Sequence, residues 1–393
     1  MSGAQKSTSA GSVFRLLIID RYLLRQFVQT FLICFCSLTG LYVVIDGFAN
    51  LEEFINHAQK AGGLMKVMGE YYAYRALSFF DTTSHILTLI AAMFTVTWIQ
   101  RHQELTALEA AGLPKARIIR PIILAALAIS FLRAANRELV IPNYRDQLSH
   151  NAQDLGGGSG KALVPRYDIE TYVWLGGPGS KTYANEQRIH KPDFYLPAGL
   201  DRYGARVEAD EAFYQPPHDG VPGGYLFRNV SNPKGLESAA SLSLGDSPVL
   251  ITPKDAPWLK PNECFIASNV SFEHLEGSGW RSFSSTRELI QGLSNPSLDF
   301  GVDERLAIHT RVVQVPLDMT LLFLGLPLIL SRSNRNVFVA IGLCGALVGA
   351  FMLVVIVCQQ LGSSYWFEPS LAAWLPLMIF VPWAVAQAGP LRE

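Results

Sequence analysis

The 393-residue sequence predicts a membrane α-helical fold of six spans, three before and three after an inserted all-β domain. Three observations carry this reading. Only 17% of residues are charged and mean hydropathy is +0.21, whereas soluble proteins carry about 25% charge. Five segments are long and apolar enough to cross a bilayer, and a sixth is needed to bring the chain back out. Between the two groups lies a stretch rich in glycine and proline with no long apolar run. The 32 Lys and Arg against 33 Asp and Glu leave no basic excess to neutralise a nucleic-acid backbone.

A hydrocarbon core about 30 Å thick needs about 20 apolar helical residues. The N-terminal half, residues 1–145, supplies predicted spans at about 26–48, 79–100 and 117–139. The third is the weakest, because its uncharged stretch runs only from Pro121 to Leu132 and Arg133, Arg137 and Glu138 follow. Arginine can snorkel toward an interface, which keeps the segment admissible as a span. The C-terminal half, residues 306–393, supplies spans at about 310–331, 336–361 and 370–389. Basic residues gather in the N-terminal segment (Lys6, Arg15, Arg21, Arg25), in the loop after span 2 (Arg101, Lys115, Arg117, Arg120) and after span 4 (Arg332, Arg335). The positive-inside rule then places both termini in the cytoplasm. Lys60, Lys66 and Arg75 run against it, in a first loop that reads as a short amphipathic helix.

Residues 146–305 hold 18 of the 32 glycines and 13 of the 22 prolines. Alternating segments at 167–176, 204–214, 224–232 and 264–275 are separated by turn-forming clusters. That pattern reads as an all-β domain large enough to bury its own core, on the outer side of the membrane. Its single cysteine, Cys264, excludes an internal disulfide. In SSTRELIQGL (284–293), Ser or Thr followed by Glu288 predicts a helix start and a short helix before the return to the membrane.

No catalytic or metal-ligand spacing stands out. Residues 156–162, GGGSGKA, fail as a phosphate loop: Leu155 stands where the first glycine belongs, and Ala162 replaces the magnesium-binding hydroxyl. They read as a flexible linker. Asp81 and His85, one turn apart, read as an interfacial pair, since two ligands are too few for a metal.

The most informative stretch is RHQELTALEAAGLPKARI, residues 101–118. Residues 101–112 read as a cytoplasmic helix stopped by Gly112 and Pro114. Leu105 and Leu108 share a face, flanked by Glu104 and Glu109. So short a helix is marginal alone and must dock, either on the membrane surface or on a protein. The two acidic groups disfavour an anionic membrane and point to a protein partner.

This stretch closely resembles the signature between helices 2 and 3 of the LptF/LptG (YjgP/YjgQ) permease family. DRYLLRQFVQTFL (20–32), IDGFANLEEF (45–54), STRELI (285–290), ERLAIHTRVVQVPLDMTLLFLGLPLILSR (304–332) and LAAWLPLMIF (371–380) extend the likeness over nearly the whole chain. The resemblance implies a bacterial inner-membrane subunit of the ABC transporter that extracts lipopolysaccharide or a related glycolipid. It implies a periplasmic β-jellyroll for residues 146–305, a second permease of the same type, a cytoplasmic ATPase dimer that holds ATP and magnesium, and a periplasmic β-jellyroll bridge protein. This chain would bind no cofactor and would not be an enzyme. Residues 101–112 would be the coupling helix, with Arg101, Glu104, Leu105, Leu108 and Glu109 meeting the ATPase. Spans 1 and 5 would form lateral gates, which assigns Asp46, Phe48, Gly345 and Gly349 to a gate or substrate cavity.

For several of these residues a plainer role competes. Asp46 is equally readable as a helix-end residue, and Gly345 and Gly349 as a close helix contact. Asp318 and Arg133, both inside predicted spans, read as a structural pair or as functional charges. Family members typically carry Lys or Arg near the outer end of helix 1. Here stand Asp46, Asn50, Glu52 and Glu53, which suits a less phosphorylated lipid or a partner that binds the phosphates. In the β domain, Arg202, Arg206 and Arg228 are candidate ligands, and Trp174, Tyr225 and Phe227 are expected to fill the interior. A membrane scaffold without transport is the alternative function, and a coupling helix is what it would lack.

Overall fold

A computed structural model describes residues 18–155, 160–183, 186–197, 205–218, 222–245, 247–276, 282–297, 302–330 and 337–389. Lys6, Arg15, Arg202, Arg332, Arg335 and Gly156–Ser159 lie outside them. Among the described residues six helices are long and apolar enough to cross a membrane: Ile18–Ala49, Leu64–Arg101, Lys115–Ser149, Asp303–Leu330, Gly342–Ser363 and Pro369–Gln387.

In chain order the helical elements before the β domain are α1 (Ile18–Ala49), α2 (Leu51–Ala61), α3 (Leu64–Arg101), α4 (Glu104–Ala110), α5 (Lys115–Ala135) and α6 (Arg145–Ser149). After the sheet come α7 (Phe272–Leu275), α8 (Thr286–Leu293), α9 (Val302–Leu330), α10 (Val337–Ser363) and α11 (Pro369–Gln387). The third span continues past α5 through a π turn at Asn136–Val140 and a 3-10 turn at Ile141–Tyr144. The chain divides into two compact units: Met1–Gly40, Thr82–Ala134 and Val312–Glu393 form one, Leu41–Asp81 and Ala135–Arg311 the other.

The first unit is helical. Buried residues line α3 (Leu87, Leu89, Ala91, Ala92, Val96, Ile99), α5 (Ile118, Ile119, Ile122, Ala126) and α9 (Leu321, Leu322, Leu324, Leu326). Close helix approach occurs at Gly325, where an added Cβ would stand 2.5 Å from Leu89 Cδ1. Gly345 and Gly349 are exposed, and a Cβ there would meet nothing within 4 Å. The close contact expected for that pair is therefore absent among the described residues.

The second unit holds an eleven-stranded antiparallel sheet: β1 (Lys161–Ala162), β2 (Arg166–Tyr167), β3 (Trp174–Leu175), β4 (Lys181–Tyr183), β5 (Arg188–His190), β6 (Asp193–Tyr195), β7 (Arg206–Gln215), β8 (Gly224–Asn232), β9 (Leu242–Leu244), β10 (Ser247–Ile251) and β11 (Glu263–Ala267). The order β1-β4-β5-β7-β8-β11-β10-β9 carries a branch, β2-β3-β6, that also joins β7. β7 pairs with β6 through Arg206–Glu208 and with β5 through Ala212 and Phe213. One long strand thus feeds two sheet arms, and their inner faces close on a jellyroll-like core.

Val173, Leu175, Ile189, Phe194, Val207, Tyr225, Phe227 and Cys264 are fully buried in that core. Phe194 meets Tyr225 and Phe227 edge-on at 5.5 and 5.0 Å, the arrangement that aromatic quadrupoles favour. The Tyr225 hydroxyl donates to the Val270 carbonyl at 2.8 Å. Buried Asp168 gathers distant segments: it accepts from Ser268 Oγ (2.7 Å), the Asn269 amide (3.1 Å), Ser297 Oγ (3.0 Å) and the Glu170 amide (2.9 Å). The alternating run at 264–275 is a strand only to Ala267; Phe272–Leu275 is helical. The capping box at α8 forms with both reciprocal bonds, Glu288 N–H to Ser285 Oγ and Ser285 N–H to Glu288 Oε2. Lys161 lies in β1 and binds Glu276 at 2.7 Å, so it is engaged in the fold and not presented to a phosphate.

His274 sits half-buried in α7, its Nδ1 2.6 Å from Ser271 Oγ. Burial, helped by the nearby Arg166 charge, lowers its pKa from 6.5 to about 4. The unfolded chain binds that proton more readily, so stability is fully present above pH 6.5 and falls as pH drops toward 4. Thermal unfolding of the full chain across that range should show this loss, and His274→Gln should flatten it.

Candidate functional site: the turn between spans 2 and 3

The link between spans 2 and 3 is a helix of seven residues, α4, framed by two left-handed positions. α3 ends at Arg101, and Gln103 at φ +59° turns the chain into α4. At the other end Gly112 adopts φ +81°. The Leu113 amide donates to the Leu108 carbonyl (3.1 Å) and the Gly112 amide to the Glu109 carbonyl (2.9 Å). This paired closure needs a residue that tolerates positive φ, which glycine does without a Cβ penalty. Pro114 then starts α5 by accepting from the Arg117 amide at 2.9 Å. Gly112→Val should strain this turn by about 1 kcal/mol or more, read by thermal unfolding as a small fall in melting temperature that Gly112→Asn, which tolerates positive φ better, largely avoids.

Leu105 is buried within the chain and Leu108 half-buried. The apolar face that the sequence suggested for a partner is the face that anchors α4 to its own protein. In the structure Leu105, 7% exposed, packs within the chain and anchors α4. Glu104, half-buried, accepts from the Tyr22 hydroxyl of α1 at 3.3 Å, so its hydrogen-bonding partner is internal. Just beyond, Arg117 grips Asp20 with two bonds, 3.0 and 2.9 Å, tying the start of α5 to the start of α1. Within α4 the exposed residues are Thr106, Ala107, Glu109 and Ala110, and Arg101–Gln103 before it and Ala111 and Gly112 after it are exposed as well. They make a small, low-relief surface with one acidic group, on a helix held in place from behind. The spacing of Leu105 and Leu108 signals an amphipathic helix but does not say which side the rest of the protein takes.

The intramembrane charges come together. Arg133 Nη1 lies 3.0 and 3.1 Å from the two Asp318 oxygens, with both side chains 9% exposed. With its amide oxygen turned inward, Gln314 accepts from Arg133 Nε at 3.1 Å and Nη1 at 2.8 Å. A buried pair survives only if its remaining hydrogen-bonding capacity is met, and Gln314, one turn before Asp318, meets it.

In the second unit Asp46 is also engaged. It accepts from the Tyr72 hydroxyl at 2.9 Å and from Asn50 Nδ2 at 3.3 Å. Its neighbour Gly47 is buried against Met68 and Tyr72, whereas Phe48 is 76% exposed. Of the gate residues read from the sequence, Phe48, Gly345 and Gly349 therefore lie on open faces and Asp46 is held by α3.

A further charge cluster escaped the sequence reading. Arg137 binds Asp81 at 2.5 Å. Glu138 accepts from the Thr286 amide at 2.7 Å and its hydroxyl at 2.6 Å, at the N-terminus of α8. Arg311 sits 3.8 Å from Glu138 and donates to Thr286 Oγ1 at 3.4 Å. A carboxylate at a helix N-terminus complements both its free amides and its dipole. The sequence signal was the Arg137-Glu138 pair at the end of a membrane span, where charges need partners.

Among the β-domain candidates, Arg206 is bound by Asp193 and Glu208. Arg228 stacks on Phe213 at 4.5 Å and pairs with Glu263 at 3.5 Å. Tyr225 and Phe227 fill the interior as expected, but Trp174 is 44% exposed. β3 is two residues long and its partner Leu175 takes the inward position, which turns Trp174 outward.

The six long helices are unequally covered. In their most apolar windows α1 is 11% buried and the span in α10 17%, against 61% for α3 and 56% for α9. A family model described as "Lipopolysaccharide export system permease LptF/LptG" matches residues 21–191 and 252–387. A search of curated proteins gives no match.

Proposed function

The chain belongs to the LptF/LptG family of lipopolysaccharide export permeases, and on that premise we propose that it is the inner-membrane permease subunit that moves lipopolysaccharide or a related glycolipid out of the membrane, driven by a separate cytoplasmic ATPase. The observation that carries this reading is α4. A helix too short to stand alone is fixed at both ends and from behind, and presents Ala107, Glu109 and Ala110 outward. Such a rigid, small-surfaced lever suits a contact that transmits force. In this reading ATP and magnesium stay on the ATPase, and Arg101 and Glu109 rim the contact. Glu104 and Leu105 hold the helix at the angle the contact needs, and Leu108 completes that anchor.

The open faces of α1 and α10 are where we place a second permease of the same type, with lipid entering between the two. Phe48, Gly345 and Gly349 lie on those faces, and Asp46 fixes the outer end of α1 through Tyr72. The β domain, on the periplasmic side, would receive the lipid and hand it to a β-jellyroll bridge. Pull-down of the tagged full chain in mild detergent should recover an ABC-type ATPase and a second permease. Recovery of the chain with neither would overturn the assignment.

A further inference from the structure

The outward face of the β2-β3-β6-β7 arm carries a row of side chains in direct cross-strand register: Tyr167 opposite Trp174, Trp174 opposite Tyr195, and Tyr195 opposite Arg206. The residues one position along, Leu175, Phe194 and Val207, are the buried core. Strand alternation therefore sets three aromatic rings on the outside of the domain. Tyr167 and Trp174 lie 6.3 Å apart, and the Arg206 guanidinium covers Tyr195 at 5.2 Å. Beside this row is an open cleft of about 620 Å³, lined among others by Trp174, Tyr195, Pro165, Pro178 and Lys181.

The floor of the cleft is built for close backbone approach. Gly176 adopts φ +129°, and a Cβ on it would stand 3.1 Å from Pro165 Cα; a Cβ on Gly177 would collide with the Asp193 carboxylate. The charges are unequal. Arg206 is neutralised by Asp193 and Glu208, whereas Lys181 is exposed and has no carboxylate partner among the described residues. Exposed Trp174, flanked by half-buried Tyr167 and Tyr195, offers a ring face to the C–H surface of a sugar, the open cleft accepts a chain, and the Lys181 ammonium attracts an anionic substituent.

We propose that this cleft is a binding site for a phosphorylated saccharide, with Trp174 as the stacking platform and Lys181 as the phosphate contact. The proposal rests on the transport reading for the source of its ligand, the headgroup of a phosphorylated glycolipid, and adds a site outside the jellyroll interior. The headgroup would ride the outer face of the domain while acyl chains are handled elsewhere.

The test is calorimetry on the full chain in detergent, titrated with a delipidated phosphorylated oligosaccharide released from lipopolysaccharide by mild acid. Saturable binding is expected, about tenfold weaker in Trp174→Ala, as for loss of an anchoring aromatic, and largely kept in Trp174→Phe. Phosphatase treatment of the saccharide should weaken binding to the parent chain but leave Lys181→Gln unaffected. Absence of saturable binding, or binding indifferent to Trp174→Ala, would overturn the site. Failure of the saccharide to bind a preparation that still extracts intact glycolipid sinks this proposal alone. Saccharide binding by a chain that captures no ATPase leaves the site standing and sinks the permease reading.

Discussion

Asp318→Ala lowers the stability of the detergent-solubilised chain by about 3–5 kcal/mol, the usual cost of stranding one member of a buried pair. The reasons lie in the local chemistry. Arg133 is buried, and Asp318 provides two of its hydrogen bonds at 3.0 and 3.1 Å. Gln314 satisfies donors but supplies no charge. Asp318→Asn should cost less, since it keeps an acceptor, and the double variant Arg133→Met with Asp318→Leu should recover most of the loss, because a well-packed apolar pair removes the desolvation penalty from both sides. Thermal unfolding of the parent chain, the single variants Arg133→Met and Asp318→Leu, and the double variant gives the coupling energy. ATP-driven lipid release then decides the role. A double variant that is stable and still exports lipid assigns the pair to architecture; one that is stable and silent assigns it to the transport cycle.

Those two charges were visible in the sequence because the membrane makes any charge conspicuous. Six spans, the inserted β domain, the Gly112 stop and the helix start before Glu288 were readable for the same kind of reason: each is written in local chemistry, by apolar length, period-two alternation, positive-φ tolerance or reciprocal hydrogen bonding. What local pattern does not encode is which face of an amphipathic element its own protein claims. Leu105 and Leu108 announced a face and not its owner. Gly345 and Gly349 had the spacing of a close contact, yet the close approach falls at Gly325, which has no such spacing. Trp174 was expected inside with the other aromatic residues, but a two-residue strand with Leu175 beside it had only one inward position to give. The Glu138–Thr286 link joins residues 148 apart, and only the folded chain brings them together.

The ownership of that amphipathic face determines how coupling must be tested. Leu105→Asp puts a charge into a buried site of the chain itself, so loss of the ATPase in that variant would report a damaged helix as readily as a lost contact. The decisive substitutions are on the exposed side. Ala107→Trp and Glu109→Arg leave the anchor of α4 untouched: Leu105 stays buried, Tyr22 still donates to Glu104, and the Gly112 closure keeps its two amide bonds. Surface changes of this kind usually alter stability by less than about 0.5 kcal/mol. Melting temperature is therefore expected to stay within a few degrees of the parent chain. If α4 is the lever, an indole at Ala107 cannot be accommodated by a groove fitted to a methyl group, and capture of the ATPase should fall at least about tenfold, in keeping with a disrupted interface centre. Glu109→Arg, at the rim, should act more weakly and should lose its effect at high salt, since exposed charges are screened. Conversely, Tyr22→Phe removes the bond to Glu104 without touching the exposed surface. On the proposed coupling role it should leave the ATPase bound yet lower lipid release per ATP hydrolysed, because a lever would then act through a looser mount. An Ala107→Trp chain that captures its ATPase and exports lipid at the parent rate would remove α4 from the mechanism.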